Sequence, residues 1–221
     1  YGNLVGKRRD RIPLQHLTGE QEFMGLTFLV NEHVLIPRQD TEILVEEAMR
    51  FLHDGMRILD MCTGSGCILL SLLKYSNDCV GTGCDISEKA LQTARQNAAS
   101  LNIEASFVQG DLFENIHDRY DFIVSNPPYI PTDVIPGLME EVKDHEPVEA
   151  LDGGEDGLAF YRRILDCAGE YLYPGGMLFF EIGCEQAGDV VRLMEKAGFE
   201  EVTVCRDFAG LDRVVYARRC G

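Results

Sequence analysis

The 221-residue sequence predicts a doubly wound α/β domain, a mostly parallel sheet covered by helices on both faces. Two observations predict it. From about residue 40 onward, short β-rich runs alternate with segments whose apolar residues recur at helical spacing. Those runs are apolar at consecutive positions, as strands buried on both faces must be.

The elements follow in order. Residues 12–37 read as β structure, with Glu22-Phe23, then Leu26 to Val30, a turn near Asn31-Glu32, and Val34 to Ile36, which suggests a hairpin. Asp40 or Thr41 can cap a helix carrying Leu44, Ala48, Phe51 and Leu52 on one face. A buried strand at Arg57 to Met61 leads through a Gly-containing turn to a helix from Ile68 to about Leu73. Val80 to Cys84 is the next strand, and Ser87 caps a helix with Leu91, Ala94, Ala98 and Leu101 at helical spacing. Ser106 to Gln109 and Tyr120 to Ser125 are further strands. Residues 130–155, with Pro131, Pro136, Pro147 and Gly153-Gly154, read as a long loop, and loops of that length tend to be functional. A helix from Leu158 to about Leu172, a strand from Met177 to Ile182, and a helix from Gln186 to Ala197 stopped by Gly198 follow. Val202 to Val204 and Val214 to Tyr216 close the chain as strands.

The net charge is −17, which disfavours a nucleic-acid partner, because binding phosphates needs a basic footprint. The local exception is Lys7, Arg8, Arg9 and Arg11. No apolar run reaches the ~20 residues of a membrane span. The eight cysteines include no C-x-x-C pair and no His at zinc-ligand spacing, so no metal site is expected and they read as small core residues. These features give the expectation of a cytoplasmic, monomeric protein. The chain opens on Tyr1 rather than Met, which gives the further expectation of a domain cut from a longer protein.

The chemistry concentrates at strand ends. Cys62-Thr63-Gly64-Ser65-Gly66 is a small-residue turn between a strand and a helix, where backbone N–H groups can approach a ligand. Asp85 ends the next strand about 20 residues on, where an acid accepts hydrogen bonds from ribose hydroxyls. The turn departs from the G-x-G-x-x-G pattern, so the reading is a nucleoside site and not specifically a dinucleotide one. Asp111-Leu112 follows the third strand, where an acid beside an apolar side chain could read an adenine.

Asn126-Pro127-Pro128-Tyr129 directly follows the fourth strand. The two prolines stiffen the loop. The Asn126 side-chain carbonyl and the Pro127 backbone carbonyl are two acceptors for the N–H bonds of a planar –NH2 group. Tyr129 would supply an aromatic wall.

Taken together, these motifs resemble class I S-adenosylmethionine-dependent methyltransferases of the Asn-Pro-Pro-Tyr type. Further residues narrow the resemblance to the HemK/PrmC family, the N5-glutamine methyltransferases of peptide chain release factors. They are Thr18-Gly19-Glu20, Val34 to Arg38, Asp40 to Glu42, Glu146-Pro147, Ala150 to Gly154, Asp156 to Leu158, Tyr161, Glu181 to Gly183, Gln186, Asp207, Gly210 and Asp212 to Val214. The likeness runs from about residue 10 to the end. Two positions depart from the family pattern: Gln39 replaces a usual proline, and Cys62 the usual first glycine of the turn.

The resemblance implies a seven-stranded, Rossmann-like sheet over residues 40–221. Residues 1–39 would be the end of a truncated N-terminal region plus a β-hairpin linker, with residues 1–11 the tail of a helical bundle. It implies methyl transfer from S-adenosylmethionine to the glutamine amide of a Gly-Gly-Gln loop in a release factor. Cys62 to Gly66, Asp85, Asp111, Leu112 and Asn126 would bind the cofactor, while Asn126, Pro127, Pro128 and Tyr129 would carry the reaction. Arg38 and Glu42 would shape the pocket mouth or form a salt bridge. Three rival readings are a nucleic-acid amino-methyltransferase, a ribosomal-protein glutamine methyltransferase, and a non-catalytic cofactor-binding module.

Overall fold

The computed structural model describes residues 8–221. Lys7 of the basic cluster, and most of the expected bundle tail at 1–11, lie outside the described residues.

A short helix, α1 (Leu14–Thr18), ends at Gly19 in the left-handed conformation. It leads into an antiparallel hairpin of β1 (Glu20–Phe23) and β2 (Leu26–Leu29). The hairpin expected here is real but misplaced by one strand. Its turn is Met24-Gly25, both at positive φ as a tight two-residue hairpin turn requires. At Asn31 the side chain folds back, its Oδ1 accepting from the His33 N–H at 2.9 Å, and pairing stops. Val34 and Ile36 are buried without joining a strand.

Helix α2 (Gln39–Met49) starts directly after Arg38, which is extended. Neither Asp40 nor Thr41 caps it, because both already lie inside its first turn.

The main sheet has seven strands: β3 (Arg57–Met61), β4 (Val80–Asp85), β5 (Ser106–Gln109), β6 (Tyr120–Ser125), β7 (Leu172–Glu181), β8 (Phe199–Arg206) and β9 (Asp212–Arg219). Their spatial order is β5-β4-β3-β6-β7-β9-β8. The first five in that order run parallel; β9 is antiparallel to β7, and β8 to β9. Helices α3 (Cys67–Lys74), α4 (Glu88–Leu101), α6 (Ala159–Tyr171) and α7 (Ala187–Lys196) supply the covering layers, and Ser87 caps α4 by accepting from the Ala90 N–H.

Alternating strand residues feed two cores. Ile123, Leu178 and Phe180 face α6 and α7, meeting Tyr161, Ile164 and Val190. Phe122, Val124, Met177 and Phe179 face α2 and α3, meeting Leu44, Ile68 and Leu69. The hairpin's Phe23 and Phe28 complete that second core.

The 130–155 segment is not structureless. It contains a 3-10 turn at Ile135–Gly137, the short helix α5 (Glu140–Lys143), a second 3-10 turn at Val148–Ala150, and a parallel bridge from Ile130 to Asp152. Among the described residues, no helix is long and apolar enough to cross a membrane. The strand order reverses between β3 and β6, so a crevice opens at their carboxyl ends.

Candidate active site

A cleft of about 690 Å³ occupies that crevice, within the size range of small-ligand sites. One wall is the turn after β3. Cys62 has φ +61°, Gly64 +54° and Gly66 +80°. The first position therefore demands a left-handed backbone, and Cys62 adopts it at a cost of roughly 1 kcal/mol relative to glycine. Cys62, Thr63, Gly64 and Ser65 line the cleft. Gly66 sits behind them, where a Cβ would press on Ala94 at 3.2 Å and fix how closely α4 approaches.

Asp60 was not anticipated. It is wholly buried beneath the turn, its Oδ2 accepting from the Thr63 hydroxyl at 2.6 Å and the Leu69 N–H at 3.3 Å. Burial pushes its carboxyl up to about 7, and its Oδ1 has no partner among the described residues. The signal was an acid inside an otherwise apolar strand, which is rare without a partner.

Asp85 stands at the end of β4. Its Oδ2 accepts from the Gly64 N–H and its Oδ1 from the Ser87 N–H, both at 2.9 Å. Burial raises its pKa while those backbone donors oppose the rise. A carboxylate oxygen takes two hydrogen bonds, so each keeps acceptor capacity. Asp111 and Leu112 line the cleft beyond it; the exposed Asp111 pairs with Arg163 at 2.8 Å, and Leu112 is buried at φ +55°.

Asn126 follows β6 into the same cleft, and its Nδ2 donates to the Thr41 hydroxyl at 3.4 Å. Pro128 also lines the cleft. Pro127 is buried, and Tyr129 packs behind the wall against the α6–α7 core instead of facing the cleft as an aromatic surface. Burial pushes the Tyr129 phenol well above its usual range, which keeps it neutral.

The Tyr129 backbone is seated on glycines. A Cβ at Gly153 would stand 2.7 Å from its Cα, and one at Gly157 would overlap its carbonyl oxygen. Gln186 holds this seat: its Nε2 donates to the Tyr129 carbonyl at 3.0 Å and the Gly157 carbonyl at 3.2 Å, and its Oε1 accepts from the Gly183 N–H at 2.9 Å.

The 130–155 segment forms the opposite rim, through Pro147, Glu149, Ala150 and Asp152. Arg38 anchors it by pairing with both oxygens of the buried Glu146 at 2.7 Å. Arg8 and Arg11 pair with Glu141 at 3.3 Å. Glu42 lies away from the mouth, accepting from the Met24 N–H at 2.6 Å to brace the hairpin.

This sheet order, with a nucleoside-sized cleft at the reversal point, defines a methyltransferase. Residues 39–138 match the family model "Methyltransferase small domain". A methyltransferase from Pyrococcus furiosus shares the fold with a TM-score of 0.71 at 19% identity, over 97% of this chain and 99% of that one. The particular family follows from closer relatives. A release factor glutamine methyltransferase of Clostridium acetobutylicum is 45% identical over 100% of this chain and 80% of its own length. One from Geobacter sulfurreducens is 46% identical over 97% and 76%. A release factor-specific protein-(glutamine-N5) methyltransferase structure from Alicyclobacillus acidocaldarius is 32% identical, with a TM-score of 0.53 over 88% of this chain and all of that one. The chain belongs to the release factor glutamine methyltransferase family.

Proposed function

We propose that this chain methylates the side-chain amide nitrogen of the glutamine in the Gly-Gly-Gln loop of a peptide chain release factor, using S-adenosylmethionine. The observation that carries the reading is that Asn126 lines the same cleft as Asp85 and the Cys62–Gly66 turn. Residues 40–221 form the catalytic domain in this reading.

The residues present fit the cofactor. Nothing stands within 4 Å of where a Gly64 Cβ would be, so the backbone there can be approached closely. Asp85 keeps acceptor capacity for ribose hydroxyls, and Asp111 and Leu112, which line the same cleft, are assigned in this reading to read and cover the adenine. When bound, S-adenosylmethionine supplies an electrophilic methyl group.

The protein's task is to make an amide nitrogen attack. That nitrogen is a poor nucleophile, because its lone pair is delocalised into the carbonyl. The Asn126 Oδ1 and the Pro127 carbonyl accept its two N–H bonds. As the nitrogen becomes pyramidal and gains positive charge, those acceptors bind it more strongly, so they stabilise the transition state more than the ground state. Alignment supplies much of the remainder, up to roughly 7–11 kcal/mol in well-oriented systems. The prolines and the glycine seat under Tyr129 hold that alignment.

The test is transfer of label from methyl-labelled S-adenosylmethionine to a release factor, with separate DNA and RNA pools as competitors. Label on the Gly-Gly-Gln glutamine, absent with Asn126→Ala, is expected. Label on nucleic acid instead would overturn the substrate.

A further inference from the structure

Strands β1 and β2 form a two-stranded sheet, so β2 has an outer edge whose backbone groups need partners. At Leu29 a side chain covers that edge. Asn97, wholly buried on α4, accepts from the Leu29 N–H through Oδ1 at 2.7 Å and donates through Nδ2 to the Leu29 carbonyl at 3.1 Å. Its Nδ2 also donates to the Ser65 carbonyl at 2.9 Å. These three backbone groups ask for one acceptor and two donors, which is what a carboxamide supplies. They also fix the amide's orientation, because a reversed one would set an –NH2 against the Leu29 N–H.

Ser65 lies in the Cys62–Gly66 turn, is 2% exposed and lines the cleft. The peptide joining it to Gly66 is held at both ends, its carbonyl by Asn97 and its N–H by the Thr63 carbonyl at 2.8 Å. Gly66 is at φ +80°, and a glycine offers little steric resistance to rotation of that peptide. Without the Asn97 donor, the Ser65 carbonyl becomes a buried acceptor left unpaired, and the peptide can turn to satisfy it. A turned peptide presents the opposite dipole to whatever approaches the turn's backbone. Just beyond the hairpin, Val34 and Arg38 line the same cleft.

We infer that Asn97 is a positioning residue: it fixes the Ser65–Gly66 peptide for the cofactor and joins that peptide to the hairpin. Cofactor binding then tightens the hairpin to the same extent that the hairpin steadies the cofactor site, because such a coupling is reciprocal. The inference rests on the reading of the turn as part of the S-adenosylmethionine site.

The experiment uses the full chain as wild type, Asn97→Ala, Thr93→Val and Asp85→Asn. It measures S-adenosylhomocysteine affinity by calorimetry and the midpoint of urea unfolding. Asn97→Ala is expected to lower the midpoint and to weaken affinity about tenfold, as for ordering roughly one residue's backbone on binding. Thr93→Val is the control. Thr93 lies one helical turn before Asn97 and accepts from the Asn31 Nδ2 at 2.9 Å, so this variant loosens the hairpin's seat while Asn97 keeps its three bonds. It should lower the midpoint and leave affinity near wild type. Amide hydrogen exchange needs no variant. Saturating S-adenosylhomocysteine should slow the Leu29 amide, which Asn97 holds, several-fold more than the amides of β8 at the opposite edge of the main sheet.

Wild-type affinity in Asn97→Ala, with Asp85→Asn weakened, would overturn the inference and leave the cofactor reading standing. Equal weakening by Thr93→Val would overturn it too, by showing that seating of the hairpin at large sets the affinity. Slowing of Leu29 no greater than that of β8 would do the same, and this comparison decides alone should Asn97→Ala fail to fold. Unchanged affinity in both Asn97→Ala and Asp85→Asn would remove the reading beneath it.

Discussion

Replacing Gly157 by alanine tests the claim that the active-site loop is held from below. Gly157 has φ +72°, where an alanine is strained by about 1–2 kcal/mol. The added Cβ would overlap the Tyr129 carbonyl oxygen and stand 2.7 Å from the Gln186 Nε2. Relief requires that amide to leave, which breaks its bonds to Tyr129 and Gly157 at about 0.5–1.5 kcal/mol each. The sum is about 2–5 kcal/mol, a large part of the roughly 5–15 kcal/mol of a typical domain. Urea unfolding should show a lowered midpoint with an unchanged slope. Turnover should fall on the order of 10²-fold even where the variant is folded, because Asn126 lies three residues from the displaced carbonyl. Gly169→Ala is the control: it lies within α6 with nothing near its Cβ, and should stabilise by about 0.5–1 kcal/mol. A Gly157→Ala variant that loses under ~1 kcal/mol and keeps wild-type turnover would refute the seat.

Other outcomes follow from the same geometry. Cys62→Gly should raise the unfolding midpoint, relieving roughly 1 kcal/mol of left-handed strain with activity retained; a lowered midpoint would show that the thiol's packing matters more. Asp85→Asn keeps the turn's shape but weakens acceptance from ribose hydroxyls, so calorimetry should show S-adenosylhomocysteine affinity falling about tenfold, as for a lost charged hydrogen bond; unchanged affinity would remove Asp85 from the cofactor site. Burial raises the native pKa of Asp60 to about 7, so between the ordinary carboxylate range and that value the native state holds a proton the unfolded chain has lost. That term stabilises most at the acid end and fades as pH rises toward neutrality. Asp60→Asn should therefore flatten the pH dependence of stability across that window, and melts with parallel wild-type and variant slopes would sink the assignment.

Much of the fold was legible because it rests on local signals. Apolar strands ending in Gly, Asp or Asn placed β3, β4 and β6 and their carboxyl-edge residues. Ser87 read as a cap because its hydroxyl has one helix start within reach. The hairpin was harder: its turn begins with Met24, a residue with no turn preference, held at positive φ by the pairing around it. Within the candidate site, the Cys62–Gly66 turn and Asn126 announce themselves by spacing. Asp60, Thr41 and Gln186 also act through partners well separated in sequence: Leu69 for Asp60, Asn126 for Thr41, and Tyr129 and Gly157 for Gln186. No short window of sequence contains both halves of such a pair. Tyr129 shows the converse, a residue singled out by its motif whose ring packs against the core instead of forming the expected aromatic wall.

The single carboxamide of Gln186 joins three stretches that are distant in sequence: the loop after β6, the glycines leading into α6, and the turn leading into α7. One –NH2 group holds both the Tyr129 and the Gly157 carbonyls, so displacing it at Gly157 also loosens Tyr129, beside the bridge from Ile130 to Asp152. A breathing motion that widened this side would therefore also slacken the proposed clamp on the methyl acceptor. Amide hydrogens on both sides of Gln186 should accordingly exchange in concert.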